Sequence, residues 1–233
     1  MSSYRRFSRL AVLGCAAMLL SSAVQLRADN IITYDIQNDF SGTNNPNGQW
    51  SYGYKAMIGD LPSGVFSLAL NLGTNPQHAE WYDVEPGWSG ADIWKNYGSP
   101  AYGIGTGEVS VDSDGNETST IRWTAPVGGT VSVVGGYGLG DFGVGHRSVF
   151  LDSTQLWEVT SQPGNFSFTN LTVNAGDTID FTAWDAGQGG GNTPISATIT
   201  LTTPEPSTLA LLISALLGLG TFLFVRQRRV AKG

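Results

Sequence analysis

Apolar residues alternating with Ser, Thr, Asn or Asp recur along residues 29–203, and this two-residue period most restricts the fold. Thr130-Val131-Ser132-Val133 alternates, as do Asn165-Phe166-Ser167-Phe168-Thr169 and Thr178-Ile179-Asp180-Phe181-Thr182. Pro194-Ile195-Ser196-Ala197-Thr198-Ile199-Thr200-Leu201 is the longest run. Successive Cβ atoms of an extended chain point to opposite faces, so each run puts its apolar side chains on one face. That is the pattern of half-buried antiparallel strands. Further strands are predicted at 31–36, 50–56, 66–72, 109–112, 118–124, 147–152 and 156–160. Asp152-Ser153-Thr154-Gln155 and Ala175-Gly176-Asp177 read as turns. The glycine-rich stretches 135–145 and 187–191 read as loops. No long stretch of 29–203 carries a helical repeat. About eleven short strands predict an all-β domain, a jelly-roll-like two-sheet sandwich.

Charge separates this segment from the chain's ends. Residues 29–203 hold eighteen Asp and Glu against four basic residues, Lys55, Lys95, Arg122 and Arg147. The other eight Lys and Arg lie in 1–28 and 204–233. A domain so acidic repels phosphate backbones and anionic lipid surfaces, which argues against nucleic acid as a partner. The only cysteine, Cys15, lies in the N-terminal apolar run, so burial and strand pairing must stabilise the domain without disulfides.

At the N-terminus, Arg5, Arg6 and Arg9 precede an apolar run from Leu10 to Ala23 that is too short to cross a bilayer. Residues 1–28 are therefore expected to be a secretory signal peptide, with cleavage after Ala28 or Ala23. A lipoprotein box at Cys15 and a twin-arginine signal at Arg5-Arg6 are the competing readings. The apolar run continues past Cys15, and the rest of the twin-arginine pattern is missing.

At the other end, Pro204-Glu205-Pro206 is followed by an uncharged apolar run over 209–225 and by Arg226, Arg228, Arg229 and Lys232. The nineteen residues of 207–225 are about the length of one helical crossing of ~30 Å of hydrocarbon. The basic cluster would stay on the cytoplasmic side and leave 29–203 outside. This tail resembles the PEP-CTERM sorting signal, here Pro204, Glu205 and Pro206, a transmembrane helix, and Arg226, Arg228 and Arg229. The resemblance implies an exosortase-type processing enzyme and the secretion machinery as partners. It also implies transient membrane anchoring, then release to the cell surface or an exopolysaccharide matrix. The plainer reading is an ordinary C-terminal anchor. The chain thus divides into 1–28, 29–203 and 204–233.

Within the domain, Asp39-Phe40 and Asn45-Pro46-Asn47-Gly48-Gln49-Trp50-Ser51-Tyr52-Gly53 resemble an opening motif of exported bacterial sandwich domains. Ile121-Arg122-Trp123-Thr124-Ala125-Pro126 and Gly176-Asp177 continue that likeness. It implies a carbohydrate-binding-module or galactose-binding-like sandwich, with no ligand residues to transfer. Trp123 is expected to point inward and Arg122 to sit at a strand edge.

The segment 77–103 gathers Trp81, Tyr82, Trp88, Trp94, Tyr97 and Tyr102 among Asp83, Glu85 and Asp92. Aromatic faces stack on sugar rings while carboxylates and amides accept hydroxyl hydrogen bonds. Trp81, Tyr82, Trp88 and Trp94 are therefore candidate saccharide-binding residues. The alternative is a satellite core under a long loop. Asp112-Ser113-Asp114-Gly115-Asn116-Glu117 alternates oxygen ligands as a calcium loop does. Its glycine stands fourth rather than sixth, and Trp123 occupies the place of the closing Glu, so a polar turn describes it better. His78 and His146 lack metal-ligand spacing, and no nucleophile elbow or phosphate loop is present. No catalytic residue, metal or cofactor is predicted. A non-enzymatic protein contacting exopolysaccharide is the first expectation, a structural or adhesive protein the second, and a secreted glycan-active enzyme the third.

Overall fold

The computed structural model describes residues 29–58, 61–62, 65–83, 90–113, 117–141, 145–160, 163–184, 191–203 and Leu216. Contacts divide the chain into a compact unit, Ile31–Thr202, and a second unit of Met1–Asn30 with Thr203–Gly233. The expected signal peptide over 1–28 lies outside the described residues. So do Pro204, Glu205, Pro206, Arg226, Arg228 and Arg229, and all of 209–225 except Leu216. Among the described residues, no helix is long and apolar enough to cross a membrane.

Strands dominate Ile31–Thr202, and they pair antiparallel into two sheets. The chain opens with β1 (Asn30–Asp35) and one turn of helix, α1 (Ile36–Asp39), which the Asp35 side chain caps by accepting from the Asn38 N–H. It continues with β2 (Trp50–Ile58), β3 (Leu61–Pro62), β4 (Ser67–Leu68), β5 (Asn71–Asn75), β6 (His78–Tyr82), β7 (Ala91–Asn96) and β8 (Val109–Ser113). Then follow β9 (Glu117–Thr124), β10 (Gly129–Tyr137), β11 (His146–Leu151), β12 (Thr154–Thr160), β13 (Gly164–Val173), β14 (Thr178–Trp184) and β15 (Thr193–Thr203). One sheet runs β13-β10-β15-β8-β7-β6-β5, with β1 also on β15. The other runs β12-β11-β14-β9-β2-β3, with β4 also on β2.

The alternating runs decide which faces meet. Val131, Val133, Ile195, Ile199 and Leu201 from the first sheet share one core with Ile121, Trp123, Val149, Ile179 and Phe181 from the second. All ten are fully buried. Each such side chain stabilises the fold by about 1.5–3 kcal/mol relative to exposure. Both expected turns are present. Asp152 adopts φ 52° between β11 and β12, and Gly176 adopts φ 93° between β13 and β14.

Three local expectations are corrected. The single strand expected at 66–72 is two, because the chain crosses between sheets there: β4 pairs with β2 and β5 with β6. The segment 77–103 is not one long loop; it holds β6 and β7, which pair with each other and join β5 to β8. Gly135 and Gly136 belong to β10, where Phe166 of β13 lies opposite Gly135.

Arg122, expected at a strand edge, sits on the interior strand β9. Its Nε and Nη2 donate to the two carboxylate oxygens of Asp180, directly across on β14, at 2.7 and 2.8 Å. Lys55 reaches the same carboxylate at 2.5 Å, and Phe66 stacks on the guanidinium at 4.2 Å. Asp180 is wholly buried. Trp123, one residue on, points into the core as alternation requires.

Candidate functional site

The β5–β8 meander presents two chemically different faces. Inward go Trp81 of β6, Ile93 of β7, and Val109 and Val111 of β8. By the same alternation His78, Glu80 and Tyr82 share the outer face with Asp92 and Trp94, and with Ser110 and Asp112. The aromatic candidates therefore separate. Trp81 is 6% exposed and its Nε1–H donates to the Ser41 carbonyl at 2.7 Å, so its ring belongs to the core and is not offered to a ligand. Tyr82 is half-buried on the outer face, across from Asp92. Trp88 lies outside the described residues. Trp94 lies on the outer face yet is only 7% exposed, because other segments cover it.

Those segments make the site. The Trp94 Nε1–H donates to Asn192 Oδ1 at 2.7 Å, and Asn192 Nδ2 donates to Asp141 Oδ2 at 3.3 Å. The backbone of 138–141 runs beside 192–194, with the Gly138 N–H on the Pro194 carbonyl and the Asp141 N–H on the Asn192 carbonyl. Gly140 adopts φ 66°, and a Cβ there would fall 1.7 Å from the Asn192 carbonyl oxygen. Only glycine permits that approach.

Above Trp94 stands the tight turn Ala101-Tyr102-Gly103-Ile104, closed by mutual Ala101 and Ile104 backbone hydrogen bonds. Tyr102 at φ 52° and Gly103 at φ 75° both occupy the left-handed region. Two such residues make the turn that matches strand twist, but Tyr is a poor choice for the position. Tyr102 is 69% exposed, and its ring stands edge-on to Trp94 at 6.5 Å and 83°. Buried Asn96 holds the loop from below: its Nδ2 donates to the Ser99 and Ile104 carbonyls, and its Oδ1 accepts the Gly98 N–H. His78 meets the Trp94 ring at 5.7 Å. Nearby Leu139 is 57% exposed. The result is an aromatic ledge bordered by an amide, a carboxylate and an imidazole, chemistry suited to an apolar sugar face with hydroxyls around it. Asp141 and Asn192 were not among the expected site residues, because only pairing of distant strands brings them to Trp94.

A separate concavity lies elsewhere. A groove of about 590 Å³ is lined by Tyr34 and by Asp39, Ser41, Asn47 and Trp50 of the Asp39–Gly53 stretch, among others. Its side chains largely serve the fold. Asp39 Oδ2 accepts from the Asp35 N–H and from Trp50 Nε1, and Asn47 Nδ2 donates to the Asp39 carbonyl. Ser41 Oγ accepts the Thr43 and Asn44 N–H groups. The histidines lie in different sheets. His146 pairs with Glu158 at 2.7 Å, where the imidazole hydrogen bond holds the Glu158 carboxyl below its ordinary range, and His78 lies 3.5 Å from Glu80. Of the 112–117 sequence, read as a polar turn rather than a calcium loop, Asp112 belongs to β8 and Glu117 opens β9, while 114–116 lie outside the described residues.

No family model matches the chain, and no curated protein matches it. Among solved structures it is similar to the C-terminal family 6 carbohydrate-binding module of LamC, a marine laminarinase from Zobellia galactanivorans. That match has 20% identity, 40% of this chain and 79% of that one covered, and a TM-score of 0.25. A family 35 carbohydrate-binding module from Clostridium thermocellum matches at 13% identity over 72% of this chain and 97% of that one, with a TM-score of 0.28. The K1 cleaved adhesin domain of Lys-gingipain from Porphyromonas gingivalis matches at 13% over 74% and 95%, with a TM-score of 0.26. With scores this low, the assignment of the site rests on its own side-chain geometry.

Proposed function

We propose that this chain is an exported cell-surface or matrix protein whose β-sandwich, jelly-roll-like in its shuttling between sheets, binds exopolysaccharide without cleaving it. The observation that carries the binding reading is Tyr102, an exposed aromatic held in a left-handed turn above Trp94. Exposed aromatic surface and backbone strain both work against stability, and their coincidence marks functional positions. The acidic domain favours a neutral glycan over an anionic one.

Export rests on the sequence. The basic-then-apolar 1–28 and the PEP-CTERM-like 204–233 support passage through the secretion machinery and membrane anchoring through 209–225. Processing by an exosortase-type enzyme follows from the same likeness, with 29–203 outside. Protease added to intact cells should reach the sandwich, and deleting 209–233 should release the protein to the medium.

Affinity electrophoresis through the producer's own exopolysaccharide tests the binding reading. Wild type and a Val127→Ala surface control should be retarded, whereas Tyr102→Ala should run freely with an unchanged melting temperature. Equal mobility of all three with and without polysaccharide would leave the structural or adhesive reading in its place.

A further inference from the structure

Five carboxyl groups gather where β6 and β8 end and β7 and β9 begin. Asp92 of β7 stands directly across from Asp112 of β8, and like charges in that relation repel. Glu80 of β6 and Asp83, just past β6, lie close enough to act on the Asp92 carboxyl, and Asp83 likewise acts on Glu117 of β9. The Ser119 hydroxyl ties the sheets together here by donating to the Asp92 and Asp112 carbonyls. The Gly191 N–H donates to Asp112 Oδ1 at 3.0 Å. Backbone groups thus hold the cluster in place, although its charges oppose one another.

No Lys or Arg among the described residues pairs with those carboxyls. Ile31–Thr202 contains four Lys and Arg. Lys55 and Arg122 are committed to Asp180, and Lys95 donates to the Gln37 carbonyl at 2.5 Å. Arg147 points to Thr193 Oγ1 in a buried site beside Tyr137. Only His78, 3.5 Å from Glu80, stands near. Two carboxylate oxygens, Asp83 Oδ1 and Asp92 Oδ1, are shut off from solvent with no hydrogen-bond partner among the described residues. A buried acceptor without a donor is rare in folded proteins and calls for an ion or a proton. At Gly90 a Cβ would lie 2.3 Å from Asp83 Oδ1, so the backbone itself leaves room for that oxygen.

We propose that Glu80, Asp83, Asp92, Asp112 and Glu117 bind a hard divalent cation of the calcium class, which fastens the β6–β7–β8 meander to β9. Such ions take six to eight oxygen ligands, mostly carboxylates and carbonyls, and that is the donor set present. As the side chains stand, no three among the described residues have metal-ligating geometry. The ion draws these carboxylates together as it binds.

The test uses the intact chain in mild detergent, stripped with EDTA and melted at about pH 7 with calcium chloride, magnesium chloride or neither, and without saccharide. Calcium about a hundredfold above its Kd should raise the melting temperature by about 5–10 °C. Calorimetric titration should show about one site. Asp92→Asn and Asp83→Asn should each fold but lose most of the calcium shift, since each keeps the shape and removes one ligand charge. No calcium shift and no binding heat in wild type would overturn the proposal. An undiminished shift in both variants would overturn it too, by placing the ion elsewhere. Because saccharide is absent throughout, failure here is separable from failure of the proposed function.

Discussion

Tyr102 stands edge-on to Trp94, centroids 6.5 Å apart, with its backbone at φ 52° and most of its ring in solvent. Replacing it with Gly removes the left-handed penalty of about 1–2 kcal/mol, offset in part by the greater entropy of an unfolded glycine. Stability of Tyr102→Gly should therefore equal or exceed that of wild type in urea melts. Polysaccharide retention should fall at least about tenfold, which is about 1.4 kcal/mol of binding. Loss of stability together with retained binding would make Tyr102 a structural residue.

Asp180→Ala leaves Lys55 and Arg122 facing each other in a covered site. Removing one member of a buried ionic cluster destabilises by about 3–5 kcal/mol, because the remaining charges stay buried and unpaired. Urea denaturation should report a loss in that range. A loss below about 1 kcal/mol would mean that water reaches the triad.

Burial first, then the Asp83 carboxyl, raises Glu117 from 4.5 to about 7. A raised native pKa means that the folded chain holds this proton more tightly than the unfolded one. The linked stability is fully present below about pH 4.5 and is lost as pH rises through about 7. In EDTA the melting temperature of wild type should decline relative to that of Glu117→Gln across this window. A wild-type advantage that grows with pH would contradict the assignment.

Gly140→Ala tests the close approach that carries Asn192 to Trp94. The added Cβ meets the Asn192 carbonyl at 1.7 Å, whereas one at Gly176, also at positive φ, meets nothing within 4 Å. Both substitutions strain the backbone, so Gly140→Ala should lose stability beyond the ~1–2 kcal/mol expected of Gly176→Ala. Only Gly140→Ala should also weaken glycan retention, measured by affinity electrophoresis.

Much of the strand pattern was legible because its alternation is clean. In β14 the residues Ile179, Phe181 and Ala183 all go inward, while Asp180 and Thr182 take the other face. The β6 and β7 strands escaped notice because their aromatics serve both faces. Trp81 fills the core while Trp94 lies outside, and nothing local separates one indole from the other. Phe66–Leu72 read as one apolar run, although the chain changes sheets within it.

What the chain's order of residues determined alone was an acidic, disulfide-free, all-β domain and the identity of its buried faces. Alternation and charge are local properties, summed along the backbone without knowledge of partners. Which aromatic is buried and which is exposed, and which carboxylates lie together, was left to tertiary structure. Trp94 and Asn192 are 98 residues apart, and Asp92 faces Asp112 only through one register of β7 on β8. A slip of a single residue in that pairing would turn every one of those side chains to the opposite face, so only the assembled sheets decide the site.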